Sequence, residues 1–166
     1  MEADVVALFD QLRRPLLRYL LSFGTDIADA EEIVQDVFLA LFEHLRKGKS
    51  RSNLQAWTFT VAHNMALKNR QRAQRQTLEM TEDRADLSEG PEEYVAGLQR
   101  KERLLAVLRA LPEQDQCCLS LRAEGLRYRD IAAVLGISLG SVAGSLERSL
   151  ARLARADATN GRPTSA

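Results

Sequence analysis

The hydrophobic positions in the first half of the chain recur every three or four residues in three segments. These segments cover residues 4–23, begin again near Asp29, and begin a third time near Asn53. Their apolar stripes are, in order, Val6, Leu8, Phe9, Leu12, Leu16, Leu17 and Leu20; Ile33, Val34, Val37, Phe38, Leu41, Phe42 and Leu45; and Leu54, Trp57, Val61 and Met65. Three amphipathic helices with short connections predict a compact helical bundle.

Polar residues mark where these helices begin and end. The motif Gly24-Thr25-Asp26 interrupts the first stripe, and Asp29 with Glu32 three positions later fits a capping box for the second helix. A polar loop at residues 47–53 ends the second helix, and Asn53 is placed to cap the third.

The pattern weakens over residues 76–97 and becomes helical again from Leu98. One predicted helix ends before Pro112, another carries Cys118 and Leu121, and two more cover residues 128–135 and 139–153. The sequence therefore predicts an all-α fold of two small helical domains joined by a linker. We expect a first domain at 1–75, an acidic linker at 76–97, a second domain at 98–156 and a disordered tail at 157–166.

The last two predicted helices have the spacing of a helix-turn-helix. Ala132 is small where two helices cross, Gly136 can adopt the positive φ of a tight turn, and Val142 faces the first helix of the pair. Ser138 can cap the second helix, and Leu146, Leu150 and Leu153 continue the buried seam. The spacing favours a DNA-binding motif over a plain helical hairpin.

Charge is strongly segregated although the chain has a net charge of +0. Residues 1–43 carry nine acids against three arginines, whereas residues 44–75 carry eight basic residues and no acid. Residues 76–99 are acidic again, and residues 100–156 are moderately basic. An acid-free stretch of this length favours a phosphate-binding surface over simple solvation of a helix face.

Several function classes find no support in the residues. The chain has no catalytic constellation, no glycine-rich phosphate loop and no metal-ligand spacing, so we expect neither an enzyme nor a cofactor. The adjacent Cys117 and Cys118 fit reduced, partly buried thiols of a cytoplasmic protein. No apolar run is long enough for membrane insertion, and the N-terminus has no secretion pattern.

A second constellation combines the polar loop with the start of the third helix. If Trp57 and Val61 face inward, helical geometry turns Thr60 and His63 outward and leaves Asn64 at the rim. Hydrogen-bonding side chains within a basic surface are typical of proteins that hold unpaired bases.

The order of these motifs resembles the extracytoplasmic-function (ECF) group of bacterial sigma factors. The segment 29–38 is similar to that group's polymerase-binding helix, and 57–64 to its Trp-x-x-x-Ile-Ala-x-Asn segment. Leu111-Pro112 and residues 136–142 fit its C-terminal domain, so the resemblance covers about residues 5–155. It implies a non-enzymatic protein that binds core RNA polymerase and promoter DNA, the first domain opening the −10 element and the second gripping the −35 element.

The resemblance also implies three sets of contact residues. The polymerase-binding set is Asp29, Glu32, Gln35, Asp36 and Phe38. The −10 set is Lys49, Arg51, Ser52, Asn53, Trp57, Thr60, His63, Asn64, Lys68 and Arg72, with the loop residues cradling a flipped base. The −35 set is Arg127, Arg129, Ser138, Gly140, Ser141, Ala143, Ser145, Arg148 and Arg152.

The recognition helix departs from the group's pattern. Where relatives read Gly-Thr-Val-Lys-Ser-Arg-Leu, residues 140–146 read Gly-Ser-Val-Ala-Gly-Ser-Leu and lack both cations. We therefore expect weak, salt-sensitive −35 binding by residues 98–158 alone, which a sub-micromolar specific affinity would contradict.

Two alternative functions stay open: a sigma-like adaptor and a stand-alone helix-turn-helix regulator. Members of the group are often held inactive by an anti-sigma factor, and the surfaces of this chain are compatible with one.

Overall fold

The computed structural model describes residues 2–79 and 99–161, and every regular element in those ranges is an α-helix. The helices are α1 (Glu2–Ser22), α2 (Ile27–Arg46), α3 (Leu54–Glu79), α4 (Arg100–Ala110), α5 (Glu113–Ala123), α6 (Tyr128–Leu135) and α7 (Leu139–Gly161). The all-α prediction is confirmed. Most of the predicted linker and residues 162–166 of the predicted tail lie outside the described residues.

The first three helices form the predicted bundle. Their stripes bury Leu16, Leu20, Val37, Leu41 and Phe59 against one another. The edge of the Phe9 ring meets Phe38 with centroids 4.9 Å apart. Aromatic and branched side chains that interdigitate in this way supply most of the stability of a small helical domain.

The start of α2 differs from the predicted capping box. Asp26, not Asp29, is the N-cap, and its side chain accepts a 2.9 Å hydrogen bond from the Asp29 backbone N–H. Gly24, with φ of 98°, makes the turn between α1 and this cap. The break was predicted in the right place, but its carboxylate cap lies three residues earlier than expected.

The buried stripe of α3 is also rotated from the predicted one. Phe59, Ala62, His63 and Ala66 are buried, whereas Trp57, Val61 and Met65 are only partly covered. The real stripe follows the same helical spacing, but small and polar residues make it inconspicuous in the sequence. The helix also runs to Glu79, past the predicted domain end at residue 75.

In the second half, α4 to α7 pack around Leu121, Leu126, Ile131, Val142 and Leu146. The buried face of α7 continues through Ser145 and Ser149. Leu150 is exposed, so the prediction that it belongs to this buried face is wrong. The helix α7 continues to Gly161 and thereby contradicts the predicted disorder at 157–161. The bidentate ion pair between Arg100 and Asp157 joins α4 to this last part of α7.

Candidate polymerase and nucleic-acid interfaces

The outer face of α2 is an exposed polar surface. Glu32, Gln35 and Asp36 all lie on it, while Asp29 is partly covered near the start of the helix. These side chains alternate with the buried residues of the same helix, as an amphipathic pattern requires. Four of the five residues predicted to bind polymerase are thus at least partly accessible.

The adjacent apolar residues Phe38 and Leu39 of α2 differ in exposure. Phe38 is 7% exposed and packs on Phe9, so its prediction as a polymerase contact is wrong. Leu39 is 66% exposed and follows Gln35 and Asp36 by one helical turn. We call Glu32, Gln35, Asp36 and Leu39 the α2 outer face. The signal that could have found Leu39 is its position outside the apolar stripe.

The loop between α2 and α3 is held by hydrogen bonds at several points. Nε2 of His44 donates to the Ser50 carbonyl at 2.8 Å, and Nη1 of Arg51 contacts Asp4 at 2.9 Å. The Ser52 N–H donates to Oγ of Ser50 at 3.1 Å, and Lys49 is exposed. The loop is therefore preorganised, with its basic side chains at the surface.

Asn53 closes the loop in a left-handed conformation, with φ of 53°. Its Oδ1 accepts a 3.4 Å hydrogen bond from the Ala56 N–H at the first turn of α3, in agreement with its predicted capping role. Its Nδ2 donates a 2.7 Å hydrogen bond to Oδ1 of Asp130, at the start of α6. The Asn53 side chain thus caps α3 and also contacts the second half of the chain.

The accessible face of α3 carries Asn64, Lys68 and Arg72, spaced by four residues and all exposed. Thr60 continues this row but is partly buried, and its hydroxyl donates to the Ala56 carbonyl at 2.8 Å. Trp57 packs on His44, with ring centroids 4.6 Å apart. The row extends the basic loop surface along the helix, as a nucleic-acid strand would require.

His63 does not belong to this face. Its side chain is 7% exposed, and a 2.7 Å hydrogen bond joins its Nδ1 to the Tyr19 hydroxyl. Burial lowers the pKa of His63, and Arg70 lowers it further, whereas Glu113 acts in the opposite direction. Burial also raises the pKa of Tyr19, with contributions from Cys117. The prediction that His63 contacts promoter DNA is therefore wrong, since the side chain is part of the core.

The second half contains the predicted helix-turn-helix. The axes of α6 and α7 are bent by 107° at the turn. Gly136 has φ of 67°, and Val142 is fully buried. Oγ of Ser138 accepts a 3.1 Å hydrogen bond from the Ser141 N–H, as predicted for an N-cap.

The DNA-facing residues of this motif are fewer than predicted. Ser145 is fully buried and accepts a hydrogen bond from Gln114, so it is not a surface contact. Arg148 pairs with Asp115, and Arg127 pairs with Asp130. Arg129, Gly140, Ala143 and Arg152 are exposed, and Ser141 is partly so. The first turns of α7, residues 139–147, carry no basic residue and one acidic residue, Glu147, so the positive charge of this helix begins only at Arg148.

The described part of the chain gives little support for reactive cysteines, a metal site or a membrane-spanning helix. Cys117 and Cys118 are free and buried, and burial raises the pKa of Cys117 to about 11. Across residues 2–79 and 99–161, no three His, Cys, Asp or Glu side chains are placed to hold a metal ion. Within the same residues, no single helix is long and apolar enough to cross a membrane, and α6 and α7 pass only when joined across their bend.

Comparisons with known proteins agree with this geometry. Residues 8–76 match Sigma-70 region 2, and residues 101–153 match Sigma-70, region 4. The chain is 31% identical over 139 residues to the ECF RNA polymerase sigma factor SigL of Mycobacterium tuberculosis, covering 82% of this chain and 78% of SigL. It is 28% identical over 146 residues to the sigma factor YlaC of Bacillus subtilis, covering 85% and 84%.

Solved structures show the same fold. The sigma factor RpoE of Bartonella quintana, in complex with the anti-sigma factor NepR, superposes with a TM-score of 0.73 at 22% identity, covering 98% of this chain and 100% of that one. CnrH in complex with the cytosolic domain of CnrY gives a TM-score of 0.64 at 22% identity, covering 97% and 92%. From its two matched regions and its relatives, the chain belongs to the ECF group of RNA polymerase sigma factors, which direct transcription initiation.

Proposed function

We propose that this sigma factor divides its work between the α2 outer face, the basic loop with the exposed row of α3, and the helix-turn-helix. The observation that carries the proposal is the placement of opposite charges on one small domain. The α2 outer face combines Glu32 and Asp36 with the exposed Leu39, while Asn64, Lys68 and Arg72 line α3. An acidic face with one apolar side chain suits a basic protein partner, and a basic row suits a nucleic-acid strand.

Core RNA polymerase is the partner that we assign to the α2 outer face. Charge complementarity would orient the first encounter with polymerase. The exposed Leu39 would then supply the apolar contact that an interface of polar side chains alone would lack. Polymerase would then bring the loop and α3 to the −10 element, where Lys49, Arg51 and Asn53 meet the non-template strand. The chain would act through polymerase in the cytoplasm, with no catalytic step of its own.

An anti-sigma factor is a further partner that we propose for this chain. The support is that two structural relatives, RpoE and CnrH, are each seen in complex with another protein, NepR and the cytosolic domain of CnrY. The acidic and apolar positions of the α2 outer face are compatible with such a protein.

The test is promoter-dependent initiation with core RNA polymerase on genomic fragments. Initiation supports the proposal, whereas DNA binding without polymerase binding supports a stand-alone regulator. The double variant Gln35→Ala/Asp36→Lys should weaken polymerase binding, because it removes the polar centre of the α2 outer face and reverses one charge. Unchanged affinity would show that another surface binds polymerase.

A sigma-like adaptor is the second candidate, favoured by the exposed side of α7. Ala143, Glu147 and Leu150 lie there, where a DNA-reading helix commonly presents cations. An adaptor would bind polymerase in the same assay and fail to initiate on any fragment.

A further inference from the structure

His44, near the end of α2, holds the loop between α2 and α3 at two points, although no predicted set of contact residues includes it. Its Nε2 lies 2.8 Å from the carbonyl oxygen of Ser50. Because a carbonyl only accepts, Nε2 carries the proton and donates it. We call this hydrogen bond the loop tether. The backbone carbonyl of His44 also accepts a 3.3 Å hydrogen bond from the Lys49 N–H. One residue of α2 thus fixes two consecutive residues of the loop.

The end of α2 does not need the imidazole as a cap. The Lys47 N–H donates to the Glu43 carbonyl at 3.1 Å, and the Gly48 N–H donates to the Leu45 carbonyl at 3.0 Å. Gly48 has φ of 71°, the left-handed conformation that commonly ends a helix. Backbone groups therefore already bond to carbonyls of the last turn. The contact of the imidazole with Ser50 serves the loop rather than the helix end.

The ring of His44 is itself fixed by the next helix. It packs on Trp57 in the first turn of α3, with ring centroids 4.6 Å apart and ring planes inclined by 42°. Both side chains are half-buried. A ring that is packed on one side and hydrogen-bonded at one nitrogen has little rotamer freedom left. His44 thus joins the end of α2, the middle of the loop and the start of α3.

The loop tether extends along the chain through Ser50. Oγ of Ser50 accepts a 3.1 Å hydrogen bond from the Ser52 N–H. Asn53 follows with φ of 53° and caps α3. The backbone of residues 50–53 is therefore set by a series of contacts that begins at the His44 ring.

The basic side chains on this backbone are available to a ligand. Lys49 and Arg51 lie on either side of Ser50 and are exposed. Arg51 pairs with Asp4, but the two side chains are 58% and 55% exposed. An ion pair this open is weak, so a phosphate can replace the Asp4 carboxylate. The loop therefore combines a fixed backbone with two accessible cations.

We propose that His44 is a positioning residue for promoter opening, which holds the loop in the shape that receives an unpaired base. This rests on the proposed assignment of the loop to the non-template strand. A loop that is already ordered loses less conformational entropy when it binds, so it captures the base faster and more tightly. His44 acts in this role through Ser50 and Trp57, without touching the strand itself.

Three substitutions separate the hydrogen bond of His44 from its packing. His44→Gln keeps an N–H donor near the position of Nε2 but loses the ring. His44→Phe keeps a ring on Trp57 but loses the donor, and His44→Ala loses both. If the loop tether positions the loop, His44→Phe and His44→Ala should behave alike, and His44→Gln should stay near the wild type. Glu43→Gln, at the exposed preceding position of α2, is the matched control.

Limited digestion of the free full chain with trypsin measures the loop tether without polymerase. Cleavage after Lys49 and Arg51, read by mass spectrometry, reports local opening of the loop. His44→Phe and His44→Ala should raise both cleavage rates at least about threefold, because the loop opens more often. His44→Gln and Glu43→Gln should leave the rates near the wild-type values. Unchanged rates in both His44→Phe and His44→Ala would overturn the loop tether.

Promoter opening by the polymerase complex measures the consequence for function. On a genomic fragment where the wild type initiates, permanganate reactivity of unpaired thymines gives the opening rate, and titration with core polymerase gives the affinity. His44→Phe and His44→Ala should slow opening about three- to tenfold and change the polymerase affinity less than about twofold. His44→Gln and Glu43→Gln should open the promoter at nearly the wild-type rate.

Three results would overturn the positioning role of His44. They are unchanged opening by variants whose loop is cleaved faster, slow opening that an equal loss of polymerase affinity explains, and a His44→Gln variant as slow as His44→Ala. Initiation by the wild type on no fragment would instead count against the proposed function, whereas the trypsin rates would still confirm or overturn the loop tether.

Discussion

Asn53 and Asp130 are 77 positions apart in the chain, yet Nδ2 of Asn53 donates a 2.7 Å hydrogen bond to Oδ1 of Asp130. The other carboxylate oxygen accepts a 3.1 Å hydrogen bond from Nε of Arg127. Burial acts to raise the pKa of Asp130, but the hydrogen bonds from Arg127 and Asn53 outweigh it and hold the pKa below its usual value. The contact is therefore built for the ionised carboxylate.

Asp130→Ala should lower the free energy of unfolding by about 1–2 kcal/mol at pH 7, because hydrogen bonds to a charged group are lost. Since the folded pKa lies below the unfolded value of 3.8, this contribution is complete above that value and disappears as pH falls through the folded pKa. Urea unfolding across a pH series from pH 7 into the acid range measures both effects. Asp36→Ala, at an exposed position, is the control. A difference between wild type and Asp130→Ala that stays constant across the whole series would contradict the assignment.

His63 predicts a second pH dependence. Its folded pKa lies below the unfolded value of 6.5, so the unfolded chain binds the proton more readily. Stability should be complete above about pH 6.5 and decline as pH falls from there towards the folded pKa. His63→Gln should flatten this decline, although it loses stability at pH 8 if Gln cannot reproduce the Tyr19 hydrogen bond. Parallel stability curves for wild type and variant between pH 5 and 8 would show that another group causes the dependence.

The sequence predicted the helices of this fold more accurately than it predicted which individual side chains are buried. Periodicity located seven helical segments and the glycine turn at Gly136, because helix breaks are local in the sequence. The burial of His63 depends on Tyr19, 44 positions away, and no helical period indicates that pair. Leu39 and Phe38 are adjacent apolar residues with opposite exposure, which only the packing of α1 on α2 decides. Contacts of Asn53 and Arg18 with the second region have no signal in the sequence, because neither partner forms a recognisable motif.

Gly136 in the turn of the helix-turn-helix has a left-handed backbone conformation, whereas Gly140 in the following helix does not. Gly136→Ala should destabilise the protein by about 1–2 kcal/mol, because a side chain at φ of 67° is strained although nothing lies within 4 Å of the added Cβ. Gly140→Ala lies at an ordinary φ in the first turn of α7, with only Oγ of Ser138 at 4.0 Å, and should be neutral or slightly stabilising. Thermal unfolding of both variants measures the contrast. Equal effects would mean that the left-handed conformation is not what Gly136 supplies.

The exposed Leu39 predicts a binding defect without a folding defect. Leu39→Ala should weaken core polymerase binding about tenfold, since truncating an apolar side chain at the centre of an interface commonly costs about 1–2 kcal/mol. Its unfolding temperature should change little, because the side chain is 66% exposed in the free protein. Val6→Ala removes a side chain that is 60% exposed on α1 and is the matched control. A titration in which both variants bind like the wild type would remove Leu39 from the polymerase interface.

A cation added to the first turns of α7, which carry none, should strengthen DNA binding. Ala143 is exposed on α7, one turn after the start of the helix, so Ala143→Lys adds a cation without disturbing the core. If this face lies on the promoter backbone, the polymerase complex of the variant should bind promoter DNA more tightly at low salt. The slope of log K against log salt should steepen by about one unit for each added phosphate contact. Glu102→Gln, at an exposed position of α4, changes the overall charge by the same amount and is the control. A slope that steepens equally in both variants would indicate nonspecific attraction, whereas a change confined to Ala143→Lys would place α7 on the DNA and weigh against a sigma-like adaptor.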